Sequence, residues 1–347
     1  MANHFLACEY KIAHPDVFWS AEFSDPLIFD TNNNIKSSNK RIIDDEYISR
    51  INNEIKKLNG DIPLIESNAS AYLVAEYIVY LFADEIIFTN ENQREIMIDQ
   101  FPFDIKDHVM KKSIIKPHPT IKKEFYHIKD VDLGLDEECL NIAYFGNDYY
   151  SKRHFESLFY AVESLNHEYN DKIKIYMYIS DDKLLKKLVP SDNFIVKKPM
   201  DYLNFLNATT QFDVLIVNDM ITKGNFKFNP YLPSKLSDYL GSGRDIWALY
   251  EKGSPLSAYD LKYKSDIKDY DGCLDEFRKI LEDNGFADED AILNTEYYND
   301  RLTDLNELYI KEFKANQRLR RQIKKLKKEN KSSNSWKITE RFRKIRK

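Results

Sequence analysis

Between residues 140 and 250 the chain alternates short apolar runs with amphipathic stretches, and no other feature restricts the fold as much. KIKIYMYI (172–179), NFIVKK (193–198) and FDVLIVND (212–219) read as strands, and DKLLKKLV (182–189) and MDYLNFLNAT (200–209) as the helices between them. Such alternation predicts an α/β domain with a parallel sheet, because parallel neighbours need a helical crossover. In sheets of this kind ligands sit outside the carboxyl ends of the strands, where Gly146, Met200 and Asp219 fall. The loop after Lys198 is then a candidate for holding a nucleobase.

A first motif stands at the head of this region. In NIAYFGNDYYSKRHFESLFYAVESL (141–165) an apolar run ends at Gly146, and a helical pattern starts near Ser151. A glycine turn with Asn147 lets backbone approach a ligand closely, and free N–H groups at a helix start attract phosphate. Arg153, with Lys152 beside it, offers a fork of donors that neutralises a diphosphate.

FNPYLPSKLSDYLGSGRDIWAL (228–249) supplies a second motif: a short helix that runs into an apolar strand. Lys235 and Asp238 are three residues apart and share a helical face. The lysine can meet a diphosphate while the aspartate accepts hydrogen bonds from ribose hydroxyls. Alone, the segment would pass for an ordinary amphipathic helix with a solvated Lys and Asp. Its position about 85 residues after the glycine turn, in the order a nucleotide pocket requires, supplies the structural context that short motifs need.

Together these segments resemble the donor-binding domain of GT-B glycosyltransferases of the retaining, family-4 type. There a Pro/Ser-Lys-Leu-x-(Asp/Glu)-Tyr-Leu block precedes the strand that closes the site, and a Gly-x-x-Tyr-x-x-(Lys/Arg) turn follows the first strand of the C-terminal domain. The resemblance implies that Gly146, Asn147, Arg153, Met200, Asn229, Ser234, Lys235, Leu236 and Asp238 line the nucleotide-sugar site. It further implies that Arg153 and Lys235 hold the diphosphate and Asp238 the ribose. Phe228, Asn229 and Pro230 are placed to face the transferred sugar. Many retaining members carry a Glu-x7-Glu motif; here Pro230 stands eight residues before Asp238, so the first glutamate is missing and the contact to the sugar is altered.

Resemblance in the N-terminal third is partial. HFLACEYKIAHPDVFWSAEFSDPLIFD (4–30) looks like an internal helix-to-strand stretch of an acceptor-side Rossmann-like domain, and ADEIIFTNENQREIMIDQF (83–101) like its last strand and helix. SIIKPHPTIKKEFY (113–126) sits where related enzymes cross between domains. The expected division is a partial N-terminal domain over 1–125, a nucleotide-sugar domain over 126–300 and a basic helical tail over 301–347. Against the family roughly a hundred residues of the first domain are absent, on ordinary domain sizes. A truncated or mis-set start is the favoured explanation, with a partner-completed subunit or a compact variant as the others.

Composition bounds the setting. Aromatic residues make up 14% of the chain and hydrophobic ones 43%, enough for a sizeable core. Cys8, Cys139 and Cys273 have no metal-ligand spacing and cannot all pair, which fits a reducing, cytosolic compartment. The sequence has no signal peptide and no apolar run of membrane length. Although the whole chain carries a net charge of −6, residues 311–347 hold 16 Lys/Arg against three Glu. Leu319, Ile323, Leu326 and Asn330 form a short heptad-like stripe there. Trp336, Ile338, Phe342 and Ile345 follow among cations, a pattern suited to an anionic membrane face, to a partner, to self-docking on the acidic body, or to nucleic acid. It resembles the Ser-Trp-Lys-Ile-Thr tail of bacterial surface-polysaccharide glycosyltransferases, which favours the membrane or a partner over nucleic acid.

Other chemistry is set aside. His118 between two prolines reads as a turn residue, and Glu22 with Asp25 as a strand-end turn with an Asx cap. No HExxH, acidic metal clasp or P-loop lysine occurs. The expected function is transfer of a sugar from a nucleotide diphosphate sugar to a cell-surface glycan or glycan-lipid, with no cofactor and no metal. Cationic side chains would offset the leaving diphosphate, each well-placed donor contributing about 3–4 kcal/mol. The rivals are a partner-dependent or non-catalytic nucleotide-sugar-binding subunit and a sugar-nucleotide epimerase or phosphorylase.

Overall fold

The computed structural model describes residues 2–36, 43–58, 60–146, 153–164, 172–179, 192–222 and 224–286. Asn147, Lys152, the expected helix at 182–189 and the basic tail lie outside them. Residues up to Ala291 cluster as one compact unit. Within it the described residues form two all-parallel sheets.

The smaller sheet has three strands in the order β1 (Ser20–Phe23), β2 (Glu85–Phe88), β3 (Ser113–Ile115). Helix α1 (Ala2–Ala13) leads into β1, and α2 (Asp45–Ile55) and α3 (Ala71–Phe82) lie between β1 and β2. Eight consecutive buried positions, Val74 to Leu81, make α3 the central helix of this core, which also gathers Phe23, Ile51, Phe88 and Phe101. α4 (Glu91–Asp99) and α5 (Lys106–Met110) cross to β3. Polar side chains close the helix starts: Asp44 accepts from Glu46 N, Ser70 from Leu73 N and Asn90 from Gln93 N.

The larger sheet has six strands: β4 (Leu140–Phe145), β5 (Ile173–Tyr178), β6 (Phe194–Lys197), β7 (Val214–Asn218), β8 (Asp245–Tyr250) and β9 (Tyr263–Asp266). Their spatial order is β6-β5-β4-β7-β8-β9. Every residue of β4 and β7 is buried, as expected for central parallel strands covered on both faces. Among the described helices, α6 (Glu156–Glu163) and α9 (Tyr270–Asp283) pack against each other, and α7 (Tyr202–Thr209) and α8 (Lys235–Leu240) complete the set. Phe145 stacks on Tyr178 at 4.5 Å and Trp247 on Phe277 at 5.7 Å, filling the two sides of the sheet. The fold is thus α/β with two Rossmann-like parallel sheets, as the alternation predicts.

Helix α6 begins at Glu156, five residues later than its sequence pattern suggests. Phe155 at its cap position has φ −118° and ψ 6°, outside helical geometry, and supplies no capping oxygen. Arg153 therefore stands on the turn and not in the helix. SIIKPHPTIKKEFY likewise divides: its first three residues are β3, and the rest runs to a 3-10 turn at Lys123–His127 that packs on α7.

The 3-10 turn is clamped to the end of α8. Tyr126 donates its hydroxyl to the Asp238 carbonyl, and Gly241 lets the segment approach. A Cβ on Gly241 would lie 2.6 Å from the Ile121 carbonyl oxygen, which belongs to the backbone and cannot rotate away. Gly241→Ala is expected to cost about 1–3 kcal/mol, seen as a lower urea midpoint with an unchanged slope.

Candidate nucleotide-sugar site

Strands β4 and β7 are neighbours, with Ala143 opposite Leu215 and Tyr144 opposite Ile216. From this pair the chain winds outward one way through β5 and β6 and the other way through β8 and β9. That reversal is the topological switch point of a doubly wound sheet, and it opens a crevice beyond the carboxyl ends. Gly146 directly follows β4 there, Asp219 directly follows β7, and Arg153 lies on the turn between β4 and α6.

A Cβ on Gly146 would stand 2.5 Å from the Tyr144 hydroxyl, so any larger residue here has to displace that ring. Its N–H donates to the Tyr178 carbonyl at 3.1 Å. Arg153 is partly buried and makes no hydrogen bond or ion pair among the described residues; Asp219 and Tyr239 are the titratable groups that feel its charge. The turn itself is fixed from below, because Asn218 Nδ2 donates to the His154 carbonyl at 3.0 Å. Tyr239 joins α8 to the same place, its hydroxyl accepting from the Phe145 N–H at 3.2 Å.

Lys235 and Asp238 face each other across one turn of α8, Nζ to Oδ2 at 3.4 Å. The ammonium also sits 3.9 Å above the Phe205 ring, while the Lys235 side chain remains 37% exposed. Asp238 is buried, and its other oxygen accepts from the Tyr202 hydroxyl at 2.8 Å. Burial, and then this bond to Asp238, raise the Tyr202 phenol above its usual range. Sequence spacing alone finds the Lys–Asp pair; it does not find Tyr202 and Phe205, which come from α7 and meet the pair only in three dimensions.

Three of the expected lining residues are occupied elsewhere. Leu236 is buried in the core, and its N–H donates to the Pro233 carbonyl. Met200 packs partly buried against the same core. Asn229 is buried as a brace: Nδ2 donates to the Met220 carbonyl at 2.8 Å and to Glu251 Oε2 at 3.0 Å, and Oδ1 accepts from Tyr231 N. Ser234 is exposed at the start of α8, without a side-chain cap bond.

A buried polar cluster at the ends of β7 and β8 was not singled out by sequence reasoning beyond the placing of Asp219. The Glu251 carboxylate accepts from Thr222 N, Thr222 Oγ1 and Asn229 Nδ2. Asp219, with no exposed surface, accepts through Oδ2 from Glu251 N and from the Ser254 hydroxyl. Its Oδ1 has no partner. Burial pushes the Asp219 carboxyl up to about 7, against the downward pull of Ser254, the Glu251 N–H and Arg153.

Side chains from the smaller sheet reach this face. Asn90 donates to the Pro230 carbonyl at 3.1 Å, Asn92 to Asn229 O at 2.9 Å and Gly253 O at 3.1 Å, and Lys227 meets Glu95 at 3.0 Å. At the carboxyl ends of β1 and β3, His118 Nδ1 lies 3.4 Å from Glu22 Oε1, so the two residues read separately as turn positions form one pair. Among the described residues no cluster of His, Cys, Asp and Glu has the makings of a metal site, and no helix is long and apolar enough to cross a membrane.

No family model matches the chain, and no curated protein matches it in sequence. Among solved structures it is similar to sucrose-phosphate synthase from Thermosynechococcus elongatus, at 12% identity and TM-score 0.48 over 90% of this chain and 72% of that one. It is similar also to Anabaena HepE in complex with UDP-glucose, at 9% identity and TM-score 0.48 over 90% and 76%. A third is the pneumococcal O-GlcNAc transferase GtfA in complex with UDP and GlcNAc, at 15% identity and TM-score 0.41. The match covers 66% of this chain and spans 44% of GtfA's length.

Because the Asp219 carboxyl is raised by burial, folding favours its protonated form. That contribution is complete below about pH 4, the unfolded value, and is lost as pH rises through about 7. Asp219→Asn cannot titrate. The stability of Asp219→Asn relative to wild type should therefore climb between pH 4 and 7, by an amount on the order of 4 kcal/mol, and stay level above. Urea unfolding at four pH values checks this.

Proposed function

We propose that the chain is a glycosyltransferase of the GT-B kind that binds a nucleotide diphosphate sugar at the switch point of the larger sheet. The observation that carries this reading is the uncommitted Arg153 guanidinium at that crevice, in a sheet whose crossover from β7 to β8 carries Lys235 and Asp238 on α8. Doubly wound sheets bind nucleotides at this place, and a cation from each of these two elements suits a diphosphate.

In this reading Arg153 and Lys235 bind the diphosphate and stabilise it as it leaves with the electron pair of the broken glycosidic bond. Lys235 is held over Phe205 and beside Asp238 before the donor arrives, so little ordering is needed on binding. Asp238 serves the ribose, with Tyr202 orienting its carboxylate. Asn229 acts by bracing the loop that precedes α8, and Pro230 in place of a glutamate leaves the transferred sugar to other groups. The acceptor enters from the smaller sheet, past Glu22, Asp25 and His118. Retention at the anomeric carbon, a surface glycan or glycan-lipid acceptor, independence of metal, the three-part division of the chain and docking of the basic tail on an anionic membrane face or a partner complete the proposal.

Titration calorimetry against UDP, GDP and TDP with EDTA present tests it. One of the three should bind at micromolar concentration. Lys235→Ala and Arg153→Ala should each weaken that binding at least about ten-fold, the scale of a charge-assisted contact to phosphate, with the unfolding midpoint little changed because both side chains are partly exposed. Unchanged affinity in both variants would remove the central claim.

A further inference from the structure

We propose that Asp219 is a donor-site residue that binds as the neutral acid, its Oδ1–H donating to an oxygen of the bound sugar nucleotide. The inference rests on the donor-site reading above and adds a ligand contact to it. Asp219 directly follows the central strand β7, across the switch point from Gly146, and its neighbour Asn218 bonds the turn that carries Arg153. Its two oxygens are treated differently by the protein. Oδ2 accepts two hydrogen bonds, from Glu251 N at 2.9 Å and from the Ser254 hydroxyl. Oδ1 is buried and accepts none.

An ionised carboxylate with one oxygen bare in the interior is costly unless a cation meets it. The groups that face Asp219 are Arg153 from the turn after β4 and Glu251 with Ser254 from the end of β8; Tyr239 of α8 lies beside Arg153. Arg153 makes no ion pair with it, and Glu251 adds negative charge. A proton on Oδ1 removes the cost of the charge, and Oδ2, already an acceptor twice over, is not where it sits. The proton then leaves a buried O–H donor that itself lacks an acceptor. A phosphoryl oxygen or a sugar hydroxyl oxygen supplies one, and because Oδ1 has no exposed surface that contact requires the groups covering it to move aside as the ligand binds. Glu76 is also a buried carboxyl with a bare oxygen, but it lies inside α3 within the smaller core, bonded to Tyr80, and not at a strand end.

Two substitutions separate the chemistry. Asp219→Asn keeps a donor in the same place and cannot titrate, whereas Asp219→Leu removes donor and acceptor together. The full chain and both variants are titrated at pH 6 and pH 8 with UDP, GDP and TDP and with the glucose ester of each. Wild-type affinity for the ester that binds should fall about ten-fold from pH 6 to pH 8, as a proton held near neutrality is lost. Asp219→Asn should hold its affinity within about two-fold over that range, and Asp219→Leu should be weaker than wild type by about ten-fold at pH 6. A loss shared by nucleotide and ester puts the hydrogen bond on a phosphoryl oxygen; a loss confined to the ester puts it on the sugar. Binding by wild type with the same affinity and pH profile as Asp219→Asn overturns the inference and leaves the donor site standing, and this comparison holds even if Asp219→Leu does not fold. Absence of binding by folded wild type overturns the donor site, and the inference with it.

Discussion

The pairing of β4 with β7 is the contact on which the larger sheet depends. It joins residues some seventy positions apart, Ile142 with Val214 through Tyr144 with Ile216, and brings together the two strands from which the sheet winds in opposite directions. A parallel pair of this separation forms late and at an entropic cost that local structure does not repay. Full burial of both strands, with the Phe145, Tyr178 and Phe212 rings packed beside them, supplies the compensation. The same pairing opens the crevice, because the two crossovers that leave it diverge. Stability and site therefore share one origin: the strands that must be most apolar end in the residues that are most polar, Gly146 with its turn on one side and Asn218–Asp219 on the other.

That abrupt change has a physical price, met by local hydrogen bonding around Glu251 and only in part around Asp219. Thr222, Asn229 and Ser254 give every nearby carboxylate oxygen a donor except Asp219 Oδ1. Oδ2 serves stability by accepting from the Glu251 N–H and the Ser254 hydroxyl, whereas Oδ1 is an unpaired polar atom in the interior and a net cost. The retained carboxyl is understandable if its missing partner arrives with a ligand. Arg153 shows the complementary state, a cation at the same crevice without an anion.

The strands were legible because burial on both faces writes itself as an unbroken apolar run; FDVLIVND and NIAYF can hardly be read otherwise. The start of α6 was not, since Ser151, Lys152 and Arg153 continue a polar helical pattern and nothing local announces that Phe155 leaves helical geometry. The Lys235–Asp238 pair follows from a spacing of three. What holds that pair does not: Tyr202, Phe205 and Tyr126 come from distant segments, and only tertiary contact selects them from a chain rich in aromatics. Leu236 and Asn229 sit inside the motif yet serve the core and the loop, which shows that a motif's spacing fixes the backbone path more firmly than each side chain's task. The unpartnered oxygen of Asp219 lies beyond any sequence signal, because it is defined by what fails to surround it.

The loop from Asn225 to Ser234 connects these levels. It follows β7, carries Asn229 as its internal brace, and ends where α8 presents Lys235. From the other sheet it is held by Asn90 and Asn92, both of which donate to backbone carbonyls. Contacts of this sort are individually modest, about 1 kcal/mol each, and they fix the loop without depending on its side chains. Asn90 also caps α4, so the helix behind β2 and the loop before α8 are positioned by one residue. A shift of the smaller sheet relative to this loop would move the start of α8, and with it the Lys235 ammonium, toward or away from the crevice where Arg153 and Asp219 stand. Packing of the smaller sheet and the placing of the loop before α8 are in this way linked through two asparagines.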